Sequence, residues 1–268
     1  MKYTDAMTLV SKFFSVFISY KYLLLQITQR EIKSRYKQSF LGYAWVLLSP
    51  LLQLLVYSFV FSEIFRFPTN GIPYSIFLFV GLLPWIYLQT SISQATMSLV
   101  ASSDLLRKVY FPREVFIYSI IIARGVDFIF ASFVLVLFIL FYHIPISSTA
   151  LMIIPLLLIQ ILLMTGLSLL LSTLNLFYRD IQYLVTLILM LWMYLSPVVY
   201  ALSLVPNKYL FWYKLNPMVG IIEGYRSALF NNAFDTGTLL LSLVSSSAIF
   251  IFGFIVFKKS EKMFADIV

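Results

Sequence analysis

The side chains able to do chemistry in this chain are a few charges in a strongly apolar background: 11% of its 268 residues are charged and 61% are hydrophobic. Between Leu23 and Phe40, Arg30, Lys33 and Lys37 recur at i, i+3 and i+7, which lines them along one stripe of a helix. A neighbouring stripe holds Leu25, Ile32, Tyr36 and Phe40, interrupted by Gln29. Such a helix would lie in a membrane interface with its cations toward anionic headgroups. The plainer reading is a basic flank of a membrane span that happens to be helical. Arg124 and Asp127, at i, i+3, stand inside an apolar block, either as a substrate or ion site or as an intrahelical pair near the cytoplasmic interface. Glu63 and Arg66 repeat that spacing and read as an interfacial pair.

Covalent and metal chemistry find little support. The chain has no cysteine and a single histidine, His143, which reads as a surface residue beside Pro145. No glycine belongs to a G-x-x-x-x-G-K-[ST] loop, so a phosphate-cradling nucleotide site is excluded, and no carboxylates cluster in a metal-binding pattern. The chain is not expected to be an enzyme. A net charge of +8 would suit nucleic acid, but no basic, aromatic soluble module carries it.

The elements that must position these charges are membrane helices. Mean hydropathy is +0.94, and the apolar residues fall in long blocks, each near the roughly 20 residues a spanning helix needs. Six blocks qualify: Leu41–Phe61, Tyr74–Met97, Val115–Tyr142, Ser148–Leu174, Ile181–Ala201 and Leu239–Phe257. Before the first stand Lys2, Lys12, Lys21, Arg30, Lys33, Arg35 and Lys37. Arg107, Lys108, Arg113, Arg179, Lys258, Lys259 and Lys262 fall on the same side, against Arg66, Lys208, Lys214 and Arg226 opposite. The positive-inside rule puts both termini in the cytoplasm. Lysines interrupt the N-terminal segment and no small-residue cleavage site follows it, so it is expected to be retained. The chain reads as one domain, 1–268, with a cytoplasmic segment 1–40, a bundle 41–257 and a tail 258–268. Its fold class is an all-α integral membrane protein with six spans, an N-terminal amphipathic interface helix, and short re-entrant helices between spans five and six.

Three connections stand out. Gly42 offers a place to turn from the basic helix into the first span. In "SSDLLRKVYFPREVF", Ser102 or Ser103 would cap a short helix bearing Leu105, Leu106 and Val109, ended by Pro112. That helix looks built to dock on a cytosolic partner, or is an ordinary structured loop. The stretch Ser203 to Asp235 is too apolar for a solvated loop and too broken for a span. Asn216-Pro217 would start a helix with Met218, Ile221, Ile222, Tyr225 and Leu229 on one face and Glu223 and Arg226 elsewhere. It reads as two short helices dipping into the outer leaflet, or as a surface-lying hairpin. Among many aromatics, Tyr57, Trp85, Tyr87, Trp192, Tyr194 and Tyr200 offer flat faces to a passing sugar, or serve as packing.

The stretches "REIKSRYKQSFLGYAWVLLSPLLQLLVYSFVF", "GLLPW", "LLRKVYFPREVF", "LNLFYRDIQYLV", "YLSPVVY", "LNPMVGIIEGYRSALF" and "EKMFADIV" occur in one order over residues 30–268. Together they make the sequence resemble the permease subunit of type-2 ABC exporters of lipid-linked polysaccharide, such as O-antigen, teichoic acid or capsule. The resemblance implies a homodimer in the bacterial inner membrane with two cytosolic ABC ATPase subunits, which would hold the ATP and Mg that this chain lacks. The cargo it implies is an undecaprenyl-diphosphate-type lipid-linked glycan. Arg30, Lys33, Tyr36 and Lys37 would lie where the headgroup arrives. Asp104, Leu105, Arg107, Lys108, Pro112, Arg113 and Glu114, with Arg179 and Asp180, would couple to the ATPase. Pro217 to Phe230, with Asn216, Glu223, Tyr225 and Arg226, would form an outer gate. Alternatives are a type-2 ABC permease for a drug or small lipid-like substrate, a membrane enzyme acting on a lipid-linked sugar, and a stand-alone carrier.

Overall fold

The computed structural model describes residues 17–37, 39–64, 72–108, 111–145 and 147–264. Among the described residues the chain is helical with no strand. Helix α1, Lys21–Tyr36, is followed by a tight turn at Gly42–Ala44 and by α2, Trp45–Ser58, which widens into a π-helical turn at Phe59–Ile64. Then come α3 (Tyr74–Ala101), α4 (Ser103–Lys108), α5 (Glu114–Phe141), α6 (Ile153–Phe177) and α7 (Ile181–Tyr194). Finally α8 (Asn207–Lys214) and α9 (Pro217–Phe230) lead to α10 (Thr236–Ser260). Gly42 does make the turn: its φ of 50° lies in the left-handed region that a residue with a Cβ rarely adopts.

Among the described residues, five helical stretches are long and apolar enough to cross a membrane: Gly42–Ile64, Tyr74–Ala101, Glu114–Phe141, Ser148–Phe177 and Thr236–Met263. The expected span Ile181–Ala201 is different. Its helix, α7, has 14 residues, a rise of about 21 Å against a hydrocarbon layer of about 30 Å. It stops because Pro197 disfavours helical geometry at Ser196, and residues 195–200 fold into turns with Val198 and Val199 buried. Of the expected Glu63–Arg66 pair, Glu63 is exposed and Arg66 lies outside the described residues.

Helix α3 is the axis of the bundle. Ile76, Leu78, Trp85, Leu88 and Ile92 are fully buried along it, and α2, α5, α6, α7 and α9 all pack against it. The outer helices turn their remaining apolar faces outward, as Ile129, Phe130 and Phe133 of α5 do. In a bilayer such faces meet lipid or another subunit, so bundle cohesion rests on close packing more than on hydrophobic burial. The tightest crossing joins α6 to α10. A Cβ on Gly253 would fall on the Gly166 carbonyl oxygen, and one on Gly166 would stand 2.5 Å from the Phe250 Cα. Gly253→Val is therefore expected to cost at least about 1–3 kcal/mol, read as a lower thermal-unfolding midpoint in detergent. An unchanged midpoint would mean that the two backbones do not meet there.

Asp235 opens α10 as its cap, accepting from the Thr238 N–H at 3.1 Å and the Thr238 hydroxyl at 2.6 Å, and pairs with Lys214 at 2.6 Å. The hydrogen bond from Lys214, then those from Thr238, hold its carboxyl well below the usual carboxylate range. A folded value below the unfolded one makes this contribution complete at neutral pH, and it is lost only as pH falls through the lowered value. The thermal midpoint contributed by this cap is expected to be the same at pH 7 and pH 5, and Asp235→Ala to lose about 1 kcal/mol at both. A loss confined to pH 7 would contradict the assignment.

Candidate functional site

Helix α1 packs against α5 by a side distinct from the stripe of Leu25 and Phe40. Leu25 is 55% exposed and Phe40 fully so, while Leu24, Ile27 and Thr28 are buried. The physical reason is polar. Glu31 and Arg35 share the buried side of α1, and their bonds to α3 and α5 select the face that a weak apolar stripe cannot. Arg35 donates to Asp127 Oδ2 at 2.5 Å, and Arg124 reaches the same oxygen at 3.2 Å. Arg124 Nε also donates to Gln94 Oε1 at 2.9 Å, and Gln94 Nε2 donates to Glu31 Oε2 at 3.0 Å. Arg30 completes the chain on Glu31 at 3.2 Å.

The expected Arg124–Asp127 pair thus exists, but as part of a three-helix cluster in which two guanidiniums share one carboxylate oxygen. Arg35 Nε and Nη2 are buried without a hydrogen-bond partner. The cluster lines a cavity of about 320 Å³ whose walls include Thr90, Ser49 and Tyr87 on the polar side and Trp45, Leu83 and Phe128 on the apolar side. Spare guanidinium donors beside an apolar wall suit an anion carried on a hydrocarbon chain. Lys33 and Lys37 are exposed outside it, and the Tyr36 side chain lies outside the described residues.

On the same side, a short helix, α4, forms where the sequence expects one. Asp104 and Leu105 are exposed, whereas the side chains of Leu106, Arg107 and Lys108, and all of Val109, lie outside the described residues. Pro112 and Arg113 are half-buried. Glu114 is turned inward, 1% exposed, so it cannot itself face a cytosolic partner in this arrangement. The turn between α6 and α7 leaves Arg179 and Asp180 exposed. Asn175 ties that turn down, accepting from the Gln182 N–H and donating to the Thr96 carbonyl, both at 3.1 Å.

At the opposite end, the residues read as an outer gate do a specific structural job. Breaking α7 leaves backbone carbonyls in an apolar setting, where each needs a donor. The Tyr74 hydroxyl donates to the Val199 carbonyl at 2.6 Å, Asn216 Nδ2 to Leu195 at 3.0 Å, and Arg226 Nη2 to Val198 at 2.9 Å. Arg226 is 3% exposed, pairs with Glu223 at 2.7 Å and lies 3.7 Å from the Phe77 ring centroid. Asn216 also caps α9 through the Met218 N–H, with Pro217 at the first position, as expected. Met218, Ile221, Ile222 and Tyr225 are buried, but so are Val219, Gly220, Gly224 and Arg226, while Leu229 is half-buried, so the helix is enclosed on nearly every side instead of by one apolar face. Tyr225 donates to Gln160 at 3.1 Å, and Gln160 donates to the Pro84 carbonyl at 2.8 Å. Helix α9 is thus held inside the bundle against α3, α6 and α10, whereas α8 has no buried residue.

The six singled-out aromatics divide. Trp85 is buried edge-on to Trp192 at 5.8 Å, Trp192 donates to Asn216 Oδ1 at 2.9 Å, and Tyr87 is buried, stacked on Phe128 at 5.1 Å. Tyr200 shares a 2.6 Å hydrogen bond with Tyr213. Tyr57 is half-buried and Tyr194 exposed. His143 is exposed just past α5, and among the described residues no group of three His, Cys, Asp or Glu side chains is placed to hold a metal ion.

Comparison with known proteins fits this arrangement of helices and clusters. Residues 22–230 match the family described as ABC-2 type transporter. The chain is 33% identical over 246 residues to an O-antigen export system permease protein RfbA of Klebsiella pneumoniae, covering 91% of this chain and 94% of that protein. An RfbA of the same description from Myxococcus xanthus is 32% identical over 251 residues, covering 92% and 95%. The polysialic acid transport protein KpsM of Escherichia coli is 24% identical over 229 residues, covering 83% and 87%. A multi-pass bundle matched over most of its length in this way has one placement: the chain belongs to the ABC-2 type transporter membrane family.

Proposed function

We propose that this chain is the channel-forming permease subunit of an ATP-driven exporter of lipid-linked, O-antigen-like polysaccharide. The observation that carries the reading is the likeness to O-antigen export permeases over nearly the full length of both chains. In this reading two copies assemble in the bacterial cytoplasmic membrane, with both termini in the cytosol, and two cytosolic ABC ATPases hydrolyse ATP. Helices α2 and α7 support the pairing of copies. Each is attached along a single narrow stripe, Pro50 and Leu54 on one and Val185, Leu189 and Met193 on the other, leaving broad apolar faces for a partner. Helix α7 with its buried turn serves as the sixth membrane segment, and α8 and α9 lie at the outer leaflet as gate elements. Tyr57 and Tyr194 are the aromatics open to the glycan path.

The cavity beneath α1 is assigned to the lipid-diphosphate headgroup. Arg35 and Arg124 are its ligands, with Arg30, Lys33 and Lys37 as the outer field that draws the anion in. The spare donors of Arg35 support this assignment. Helix α4, with Asp104 and Leu105 exposed, receives the ATPase together with Arg179 and Asp180. The experiment is complementation: a strain lacking its own O-antigen permease is given this chain with its cognate ATPase. Surface O-antigen should return only when both are present. Membrane-inserted protein with no surface polymer, in a strain that instead gains resistance to apolar drugs, would move the assignment to a small lipid-like cargo.

A further inference from the structure

The motif "EKMFADIV" has no role in the account so far, yet its first residues fold back onto the segment that follows α4. Lys258 Nζ meets the buried Glu114 at 2.6 Å and Glu261 at 3.0 Å. Glu261 also accepts from the Arg113 backbone N–H at 3.3 Å, and its carbonyl oxygen accepts from the Arg113 guanidinium. That guanidinium lies 5.6 Å from the ring of Phe264, which is fully buried and edge-on to Phe257 at 5.3 Å. The start of α5 is therefore clamped to the end of α10 by the ion pairs Glu114–Lys258–Glu261 and by two hydrogen bonds between Arg113 and Glu261 that each use one backbone group, sealed beneath by an aromatic pair. Helix α4, by contrast, is a short helix with Asp104 and Leu105 exposed, joined to α3 at Ser102.

A push on α4 needs a fixed far end if it is to move helices instead of bending the connection. We propose that the tail, Lys258–Phe264, is that fixed end: a strut that makes Arg113, Glu114, Lys258 and Glu261 positioning residues for energy coupling, joining the ATPase stroke to α5 and α10 together. This rests on the reading of α4 as the ATPase-receiving element. Rigid-body transmission requires such a packed, two-sided attachment. The tail thereby belongs to the coupling machinery although Glu114 and Phe264 do not reach the surface.

The test uses the full permease–ATPase complex in proteoliposomes with lipid-linked glycan. It measures co-purified ATPase, the ATP hydrolysis rate and glycan transported per ATP, for Lys258→Met, Glu261→Gln, Lys258→Arg, the exchange Glu114→Lys with Lys258→Glu, and the exposed control Lys259→Met. Lys258→Met and Glu261→Gln are expected to keep the ATPase bound and hydrolysing while transport per ATP falls about tenfold, the size of an ordinary coupling between sites. Lys258→Arg should keep most of the transport per ATP and Lys259→Met should match the unmodified complex, whereas the exchange, which sets a carboxylate at position 258 against Glu261, should not restore it. Unchanged transport per ATP in Glu261→Gln, the milder variant, would overturn the proposal. So would a loss of bound ATPase in proportion to transport, because the tail would then serve folding or docking only. Failure of the unmodified chain to bind any ATPase would instead sink the underlying exporter reading.

Discussion

Arg226→Met is expected to lower the stability of the isolated permease by about 3–5 kcal/mol, the usual consequence of stripping one partner from a buried charged network. The side chain is 3% exposed and does three things at once. It neutralises Glu223, supplies a donor to the Val198 carbonyl, and stacks on Phe77. Methionine restores some packing volume but no donor, so the Val198 carbonyl and the Glu223 carboxylate both lose their partner. Glu223 is partly open to solvent, so Glu223→Gln should cost much less, about 1 kcal/mol. The measurement is the thermal midpoint in detergent together with protease sensitivity of the stretch 195–216. Early cleavage there in Arg226→Met, with the α6–α10 crossing still protected, is the expected pattern. Equal losses for Arg226→Met and Glu223→Gln would mean that the ion pair, and not the broken helix end, is what Arg226 serves.

Arg35→Met should produce the largest change in function. Asp127 keeps Arg124 at 3.2 Å when Arg35 is gone, so the three-helix cluster loses a ligand without stranding its carboxylate. What disappears is one of the two guanidiniums that line the cavity. Losing a charge-assisted contact to a phosphate costs about 2 kcal/mol or more, roughly thirtyfold in half-saturating lipid-linked glycan. The exposed Lys33 should matter far less: Lys33→Met is expected to shift the same value no more than about threefold, with a stronger dependence on salt. The readout is glycan-stimulated ATP hydrolysis by the complex, and basal hydrolysis should stay unchanged in both variants. If Lys33→Met proves the more damaging, the headgroup sits on the outer stripe of α1 and the cavity is structural.

Local chemistry explains which features could be read from sequence. Asn216-Pro217 announced a helix start because a capping side chain and a proline at the first position act within a few residues. Gly42 announced a turn because only backbone freedom was required. The long spans followed from apolar length alone. Arg35 was invisible as a site residue because its partner, Asp127, is 92 positions away and the pairing is a product of packing. The side of α1 that meets α5 was not legible for the same reason: periodicity weighs apolar side chains, whereas Glu31 and Arg35 set that contact through bonds to other helices. The break in α7 did leave a signal. Pro197 interrupts an apolar block, and an interrupted block needs donors for its carbonyls, which makes Arg226, the arginine of the largely apolar α9, a candidate. The burial of Glu114 was not legible because its counter-charge, Lys258, comes from the opposite end of the chain.

The account stands or falls on directed transport. The most direct measurement is ATP-dependent movement of a lipid-diphosphate-linked glycan across proteoliposomes holding this chain and its cognate ATPase, scored by access of a membrane-impermeant glycosidase. Movement that requires ATP, both subunits and the diphosphate-linked lipid, and that drops in Arg35→Met at limiting glycan, is the predicted result. Movement without the ATPase, or a stable complex that hydrolyses ATP yet ignores the glycan lipid, would contradict it.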